Sequence, residues 1–100
     1  MVFITSPGEE EAVKIAYSLV ENRLAGCVNI IRNLRSVYRW KGTIEDDAEV
    51  LMIAKTKQSL FDQLVNNVKE LHSYAVPEVI AIPVAKGSED YLDWLNEVTG

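Results

Sequence analysis

The feature that most constrains the fold is a pair of strand-like segments that meet at Lys41-Gly42. Glycine readily adopts the positive φ angles of a two-residue turn, so this stretch predicts a β-hairpin. Counting outward from the turn pairs Tyr38 with Glu45 and, closer to the base, Ile30 with Ile53. The polar stretch at residues 32–35 predicts a bulge or bend in the first strand. A hairpin of this length is too long to be covered by the core of one small domain.

The start of the chain predicts a strand followed by a helix. A short apolar run at residues 2–4 is typical of a buried strand. We expect the helix to open at Ser6, with Pro7 in its first position and Glu9 at the capping-box spacing. The acidic residues at positions 9–11 suit the positive end of the helix dipole, so they need no metal to explain them.

The remaining segments complete a β-α-β-β-α-β-α order. A second helix is expected from Ser59, a fourth strand from Pro77, and a third helix capped by Ser88. Pro83 places the fourth strand at an edge of the sheet. The first six elements form the split βαβ, or ferredoxin-like, pattern, an α+β fold with an antiparallel sheet. Strands one and three should lie in the middle, both helices on one face, and the opposite face should be covered by the third helix or other subunits.

Composition narrows the classes of function for this single domain of 100 residues. The net charge is −5 and no basic run is present, which argues against nucleic acid and anionic membranes as partners. No segment approaches the roughly 18 apolar residues of a membrane-spanning helix, and residues 1–5 do not resemble a signal peptide. Cys27 is the only cysteine, so the chain has no internal disulfide. We therefore expect a cytoplasmic protein in a reducing compartment.

The densest acidic cluster lies just after the turn. Strand alternation directs Glu45, Asp47 and Glu49 to one face and Asp46 to the other. The three residues on one face could recruit hard cations, or they could pair with arginines of this or another chain. Ion pairing is the favoured interpretation, with the candidates Arg32, Arg35 and Arg39.

His72 and Cys27 are the two candidates for soft-metal chemistry. His72, the only histidine, ends the second helix and could bind a metal or line a cleft between subunits. The simpler interpretation is that its imidazole satisfies last-turn carbonyls of that helix. Cys27 opens an apolar strand and is expected to pack as a small hydrophobic residue. One imidazole per chain gives little support for acid–base catalysis, so no enzymatic activity is expected.

The hairpin also carries aromatic and basic candidates. Tyr38 and Trp40 could line a ligand pocket, but large aromatics on an extended hairpin are better explained as anchors in a subunit interface. Lys41, at the turn, is expected in the same subunit interface. Lys41 and Lys55 could bind an anion, although pairing with nearby acidic side chains is the favoured interpretation.

A set of motifs along the whole chain resembles the CutA family of divalent-cation-tolerance proteins. The motifs are Leu24-Ala25-Gly26-Cys27-Val28-Asn29-Ile30, Ser36-Val37-Tyr38-Arg39-Trp40-Lys41-Gly42-Thr43-Ile44, Glu49, Lys55-Thr56, His72-Ser73-Tyr74-Ala75-Val76-Pro77-Glu78-Val79-Ile80 and Tyr91-Leu92-Asp93-Trp94-Leu95. The resemblance implies a homotrimer whose long hairpins reach across to neighbouring subunits, an architecture similar to the PII signalling proteins. It also implies a role in tolerance of copper and other divalent metals, and no enzymatic reaction.

The resemblance implies a cleft between subunits, lined by Trp40, Lys55, His72, Tyr74 and Glu78, and a trimer interface that includes Tyr38, Trp40 and Lys41. His72 is the candidate ligand for a divalent metal such as copper.

The chain departs from some bacterial relatives at three positions. Ile4 replaces a cysteine, Leu71 replaces the first of two histidines, and Ser73 replaces a proline. Transition metals need several convergent ligands, so these departures weaken the metal site. The alternative function is a PII-like sensor of a small anion, or a scaffold for protein partners.

Overall fold

The computed structural model describes residues 1–100 as four strands and three α-helices. The strands are β1 (Val2–Ser6), β2 (Cys27–Trp40), β3 (Thr43–Lys55) and β4 (Val79–Ala81), and the helices are α1 (Glu9–Glu21), α2 (Phe61–Leu71) and α3 (Glu89–Val98). The sheet order is β2-β3-β1-β4 with every neighbouring pair antiparallel. This confirms the ferredoxin-like α+β fold, with strands one and three in the middle and strands two and four at the edges.

The core lies between one face of the sheet and helices α1 and α2. Ile4 of β1 and Met52 of β3 are opposite each other and fully buried. They pack in one cluster with Ile15 and Leu19 of α1 and Leu64 of α2. Burial of each such side chain contributes about 1.5–3 kcal/mol, so this layer carries most of the stability of the single chain.

The other face of the sheet is open. Phe3 is opposite Ile53 on β3 and Ile80 on β4, and paired residues share one face. Phe3 and Ile53 are only partly buried and Ile80 is exposed. Helix α3 contributes no buried residue, so it leaves this face uncovered within one chain. Of the two predicted covers, the third helix does not provide one within the chain, and cover by other subunits stays a prediction.

Two helix starts differ from the sequence prediction. Ser6 does not cap α1, because it pairs with Val50 as the last residue of β1. Its hydroxyl donates to the carbonyl of Gly8 at 3.0 Å, and α1 begins only at Glu9. Likewise, residues 58–60 form a 3₁₀ turn, so α2 begins at Phe61 and not at Ser59.

The hairpin turn matches its prediction. Lys41 and Gly42 both have positive φ angles, 49° and 80°, as a type I′ turn requires. Tyr38 pairs with Glu45 as expected. We call residues 34–49, the outer half of the hairpin, the arm.

A bulge changes the register at the base of the hairpin. Ile30 pairs with Met52 and not with Ile53, because β2 carries one extra residue between Ile31 and Leu34. Asn33 within this bulge has a φ of 64°. A one-residue shift turns side chains to the opposite face. Even-numbered residues of β2 therefore face the helices before the bulge and the open face after it.

Candidate ligand cleft on the open face of the sheet

A cleft of about 710 Å³ lies where the arm meets the end of β1 and the segment after α2. Trp40, Tyr74 and Glu78, three of the five residues expected in the cleft, line it within one chain. Tyr38 and Lys41, expected in the trimer interface, line it too. The bulge is what directs Tyr38 to this face, because it reverses the alternation of β2.

Two tyrosine–carboxylate pairs form the polar lining. The Tyr38 hydroxyl donates to Asp47 Oδ2 at 2.7 Å, and the Tyr74 hydroxyl donates to Glu49 Oε2 at 3.2 Å. The hydrogen bond to Asp47 raises the pKa of Tyr38, and burial together with the charge of Glu49 raises the pKa of Tyr74. Both phenols therefore stay protonated and act as donors across the physiological pH range.

The arginines of β2 do not neutralise this lining. Arg35 makes a two-pronged ion pair with Asp46, at 2.8 and 2.7 Å, on the opposite face of the arm. Arg32 pairs with Glu9 of α1 at 2.8 Å. No arginine of this chain pairs with Glu45, Asp47 or Glu49, and their expected pairing with arginines of another chain stays a prediction. Within the chain, tyrosine hydroxyls are the hydrogen-bond donors to Asp47 and Glu49.

The two candidate lysines lie apart from each other. The Lys41 ammonium lies 5.7 Å from the centre of the Trp40 ring, a cation–π distance, and forms no ion pair. Lys55 pairs with Cys27 at the far end of β3, six residues from Glu49 and thus roughly 20 Å along the strand. Lys55 does not line the cleft of its own chain. Cys27 is a partly buried free thiol.

His72 does not line the cleft itself, but its hydrogen bonds connect the segment after α2 to β1. Its Nδ1 accepts the backbone N–H of Tyr74 at 3.1 Å, so Nε2 carries the proton and donates to the Thr5 carbonyl at 2.7 Å. Its partner carbonyl thus belongs to β1, and not to the last turn of α2 as expected. The ring is fully buried. A metal could bind His72 only by displacing one of these two hydrogen bonds.

The residues of one chain do not fit a metal site. No group of three or more His, Cys, Asp or Glu side chains is close enough to hold an ion. The carboxylate nearest His72 is Glu11, whose Oε2 is 3.5 Å from Nδ1. Of the three departing positions, Ile4 lies in the core, whereas Leu71 and Ser73 are exposed.

The sequence analysis missed the role of Glu49 and Tyr74 as a pair. Glu49 and Tyr74 are 25 residues apart, and no local pattern joins them. The pair of Tyr38 with Asp47 did carry a signal. The predicted register places Tyr38 opposite Glu45, which makes Asp47 its diagonal neighbour on the same face.

Fold and cleft together define a class: an open-faced ferredoxin-like α+β protein with a projecting hairpin arm. No helix in the structure has the length and apolar character needed to cross a membrane. A sequence model of the family described as "CutA1 divalent ion tolerance protein" matches residues 1–98. The chain belongs to the CutA family of divalent-cation tolerance proteins.

Individual relatives agree with this assignment. The divalent-cation tolerance protein CutA of Thermus thermophilus is 52% identical over 100 residues, covering 100% of this chain and 97% of the relative. A solved structure of the Thermus protein has a TM-score of 0.96 and 52% identity, covering 99% of this chain and 96% of that one.

More distant relatives extend the comparison. A structure of the "Periplasmic divalent cation tolerance protein CutA" of Archaeoglobus fulgidus has a TM-score of 0.94 at 42% identity, covering 97% and 94% of the two chains. The Arabidopsis thaliana "Protein CutA, chloroplastic" is 46% identical over 99 residues, covering 99% of this chain and 54% of the relative. This chain therefore spans about half the length of the plant relative.

Proposed function

We propose that this protein acts in divalent-metal tolerance as a cytoplasmic homotrimer that binds a divalent metal, copper in the first instance. It acts by binding and not by catalysis. The observation that carries the proposal is the charge of the cleft. Its charged lining residues are three carboxylates, Glu45, Glu49 and Glu78, against the one lysine Lys41. Such a cleft attracts cations.

The open sheet face supports the trimer. Phe3, Ile53 and Ile80 form an apolar surface that this chain does not cover, and contiguous apolar surfaces of this kind mark interaction sites. On the arm, Val37 is 65% exposed and Ile44 is 64% exposed. Burial of both surfaces against neighbouring copies would stabilise the assembly, with Tyr38, Trp40 and Lys41 at the boundary between cleft and interface.

The metal is proposed to bind where chains meet. One chain brings too few ligands together for a site of its own, and a transition metal needs several convergent donors. Lys55 lies far from the cleft of its own chain, so the expected set of Trp40, Lys55, His72, Tyr74 and Glu78 would have to combine residues of two chains.

The small-anion alternative is not favoured by this cleft, because its carboxylates outnumber its single lysine. Relatives whose names specify a location are called chloroplastic and periplasmic. The cytoplasmic location proposed here therefore rests on this chain's own sequence. Fractionation of cells that express the protein tests it.

Calorimetric titration with Cu²⁺ and Zn²⁺ tests the metal proposal. We compare the wild type with His72→Ala, using Leu71→Ala as the matched control at the neighbouring exposed position. Saturable Cu²⁺ binding that weakens in His72→Ala and not in Leu71→Ala supports metal binding with His72 as a ligand. Binding that is unchanged in both variants assigns the metal to other residues. Absence of saturable binding for either ion contradicts the proposal.

A further inference from the structure

A second cavity, of about 650 Å³, lies at the end of the sheet opposite the arm. Its walls come from the segment after β3, the first turn of α2 and the residues that follow β4. Val2 and Phe61, which both line it, pack in the core between the sheet and the helices, so the cavity lies on the helix side. It shares no lining residue with the cleft. The cavity is therefore separate from the arm and the open face, where copies of the chain are proposed to meet.

The wall of this cavity contains a buried hydroxyl that forms no hydrogen bond. Thr56 lines the cavity, and its Oγ1 is buried without a hydrogen-bond partner. An unsatisfied buried hydroxyl destabilises the fold, and a valine side chain, which has the same shape, would avoid that cost. Rotation about the Cα–Cβ bond exchanges the hydroxyl with the methyl group, so the hydroxyl can turn toward a ligand in the cavity. A polar group that lowers stability in the wall of a cavity is typical of a binding site.

A cation and apolar surface complete the lining. Lys57 Nζ donates to the Thr99 carbonyl at 3.0 Å, which uses one of its three N–H groups and leaves two for a ligand. The acidic residue of the lining, Asp62, lies in the first turn of α2, where the positive end of the helix dipole offsets its charge. Most of the remaining wall is apolar and includes Val2, Phe61, Ile82, Pro83 and Val84. The lining thus combines donors for an anion with a hydrophobic surface.

We propose that this cavity binds a small monocarboxylate with an apolar body. The carboxylate accepts hydrogen bonds from Lys57 Nζ and from the Thr56 hydroxyl, which are adjacent in the chain and belong to one part of the wall. The apolar body packs against Phe61 and the residues after β4. The volume of about 650 Å³ is that of a small-molecule site, and an inorganic anion would gain nothing from the apolar walls. This inference goes beyond the proposed role in metal tolerance and does not depend on it.

Calorimetric titration of the protein, in its native assembly, with hexanoate tests this proposal. Acetate has the same head group without the apolar chain, and hexylamine has the chain with the opposite charge. We expect one saturable hexanoate site per chain, no saturable binding of hexylamine, and at least about tenfold weaker binding of acetate, because burial of the methylene groups drives association. Absence of saturable hexanoate binding overturns the proposal, and so does binding of hexylamine as tight as that of hexanoate.

Two pairs of variants separate contact with the ligand from effects on the fold. Lys57→Met should weaken hexanoate binding about tenfold or more, whereas Lys69→Met, the control at an exposed position of α2, should change it less than about twofold. Thr56→Val should weaken binding severalfold, yet raise the melting temperature of the protein without hexanoate, because it removes the unsatisfied hydroxyl. Thr56→Ser, which keeps the hydroxyl, should bind hexanoate within about twofold of the wild type.

The Thr56→Val variant keeps the proposal falsifiable if Lys57→Met fails to fold. A lower melting temperature in Thr56→Val, together with unchanged hexanoate binding, would assign the hydroxyl a purely structural role and overturn the proposal. Wild-type affinity for hexanoate in a folded Lys57→Met protein would overturn it as well.

Discussion

The hydroxyl of Tyr74 donates to Oε2 of Glu49 at 3.2 Å and joins the segment after α2 to the middle of β3. Two residues earlier, His72 joins the same segment to β1 through its hydrogen bond to the Thr5 carbonyl. The two contacts hold the wall of the cleft in place from opposite sides. They also keep the largely buried Glu49 carboxylate next to a neutral phenol on the wall of the cleft.

Tyr74→Phe should lower the free energy of unfolding by about 1–3 kcal/mol, because the buried Glu49 carboxylate loses its only hydrogen-bond donor. Urea denaturation at pH 7 measures the change. Tyr17→Phe is the matched control, since Tyr17 is 67% exposed and forms no side-chain hydrogen bond, and it should change stability by less than about 0.5 kcal/mol. Equal effects of the two substitutions would show that the hydroxyl of Tyr74 contributes nothing specific.

Alkaline stability should depend on the phenols of the cleft. The pKa values of Tyr38 and Tyr74 are raised in the folded chain, whereas an unfolded tyrosine titrates near 10. Their contribution to stability is therefore fully present below about pH 10 and is lost as the pH rises through the folded pKa values.

Absorbance titration of tyrosinate, with melting curves from pH 8 to 12, checks this dependence. Asp47→Asn should lower the pKa of Tyr38, because it removes the carboxylate that accepts the hydrogen bond of the phenol. Asp46→Asn, on the opposite face of the arm, should leave the tyrosine titration of the wild type unchanged. If Asp47→Asn also gives the wild-type curve, the hydrogen bond does not control the pKa of Tyr38.

The bulge at Asn33 should determine which residues of the arm face the cleft. Deletion of Asn33 forces either Tyr38 or Ile30 to the wrong face, so we expect loss of several kcal/mol or failure to fold. Asn33→Gly is the control: it keeps the extra residue and suits the φ of 64°, so it should be neutral or slightly stabilising. Guanidinium denaturation measures both variants. A deletion variant as stable as the wild type would show that the register tolerates the shift.

The order of elements, the edge strands and the register near the turn were all predictable, because they follow from local patterns of apolar residues and turn glycine. The register at Ile30 was not predictable, because the polar residues 32–35 indicate an irregularity in β2 but do not show how many extra residues it contains. The predicted start of α1 at Ser6 was wrong for a similar reason. Ser6 has the chemistry of a cap, but pairing with Val50 uses it as a strand residue.

The cleft was predictable only in part. Trp40, Tyr74 and Glu78 were identified through resemblance and lie together. The hydrogen bonds of His72 and Glu49 connect segments far apart in the sequence, so only the folded chain reveals them. Lys55 illustrates the opposite case: a residue placed in the cleft by resemblance lies at the other end of β3 in its own chain.

Gly26→Ala should displace helix α3. A Cβ at this position would lie 2.6 Å from Leu95 Cδ1 and 2.9 Å from Val98 Cγ2, closer than packed carbon atoms can approach. We expect a loss of about 1–3 kcal/mol from this overpacking. Amide hydrogen exchange of residues 89–98 should rise in the variant while that of β3 stays protected.

A double-mutant cycle with Leu95→Ala isolates the clash at Gly26. The Leu95→Ala substitution removes the nearer of the two contacting side chains, so it should cost less in the Gly26→Ala background than in the wild type. Strict additivity of the two substitutions would contradict the packing of α3 against residue 26.

The most direct test of the central claim, that the arm and the open sheet face belong to a trimer interface, is the mass of the protein in solution. Size-exclusion chromatography with multi-angle light scattering at micromolar concentration measures it without a label. The account predicts a single species of about three times the 11.2 kDa chain mass, stable on dilution. A stable monomer of 11.2 kDa would contradict it.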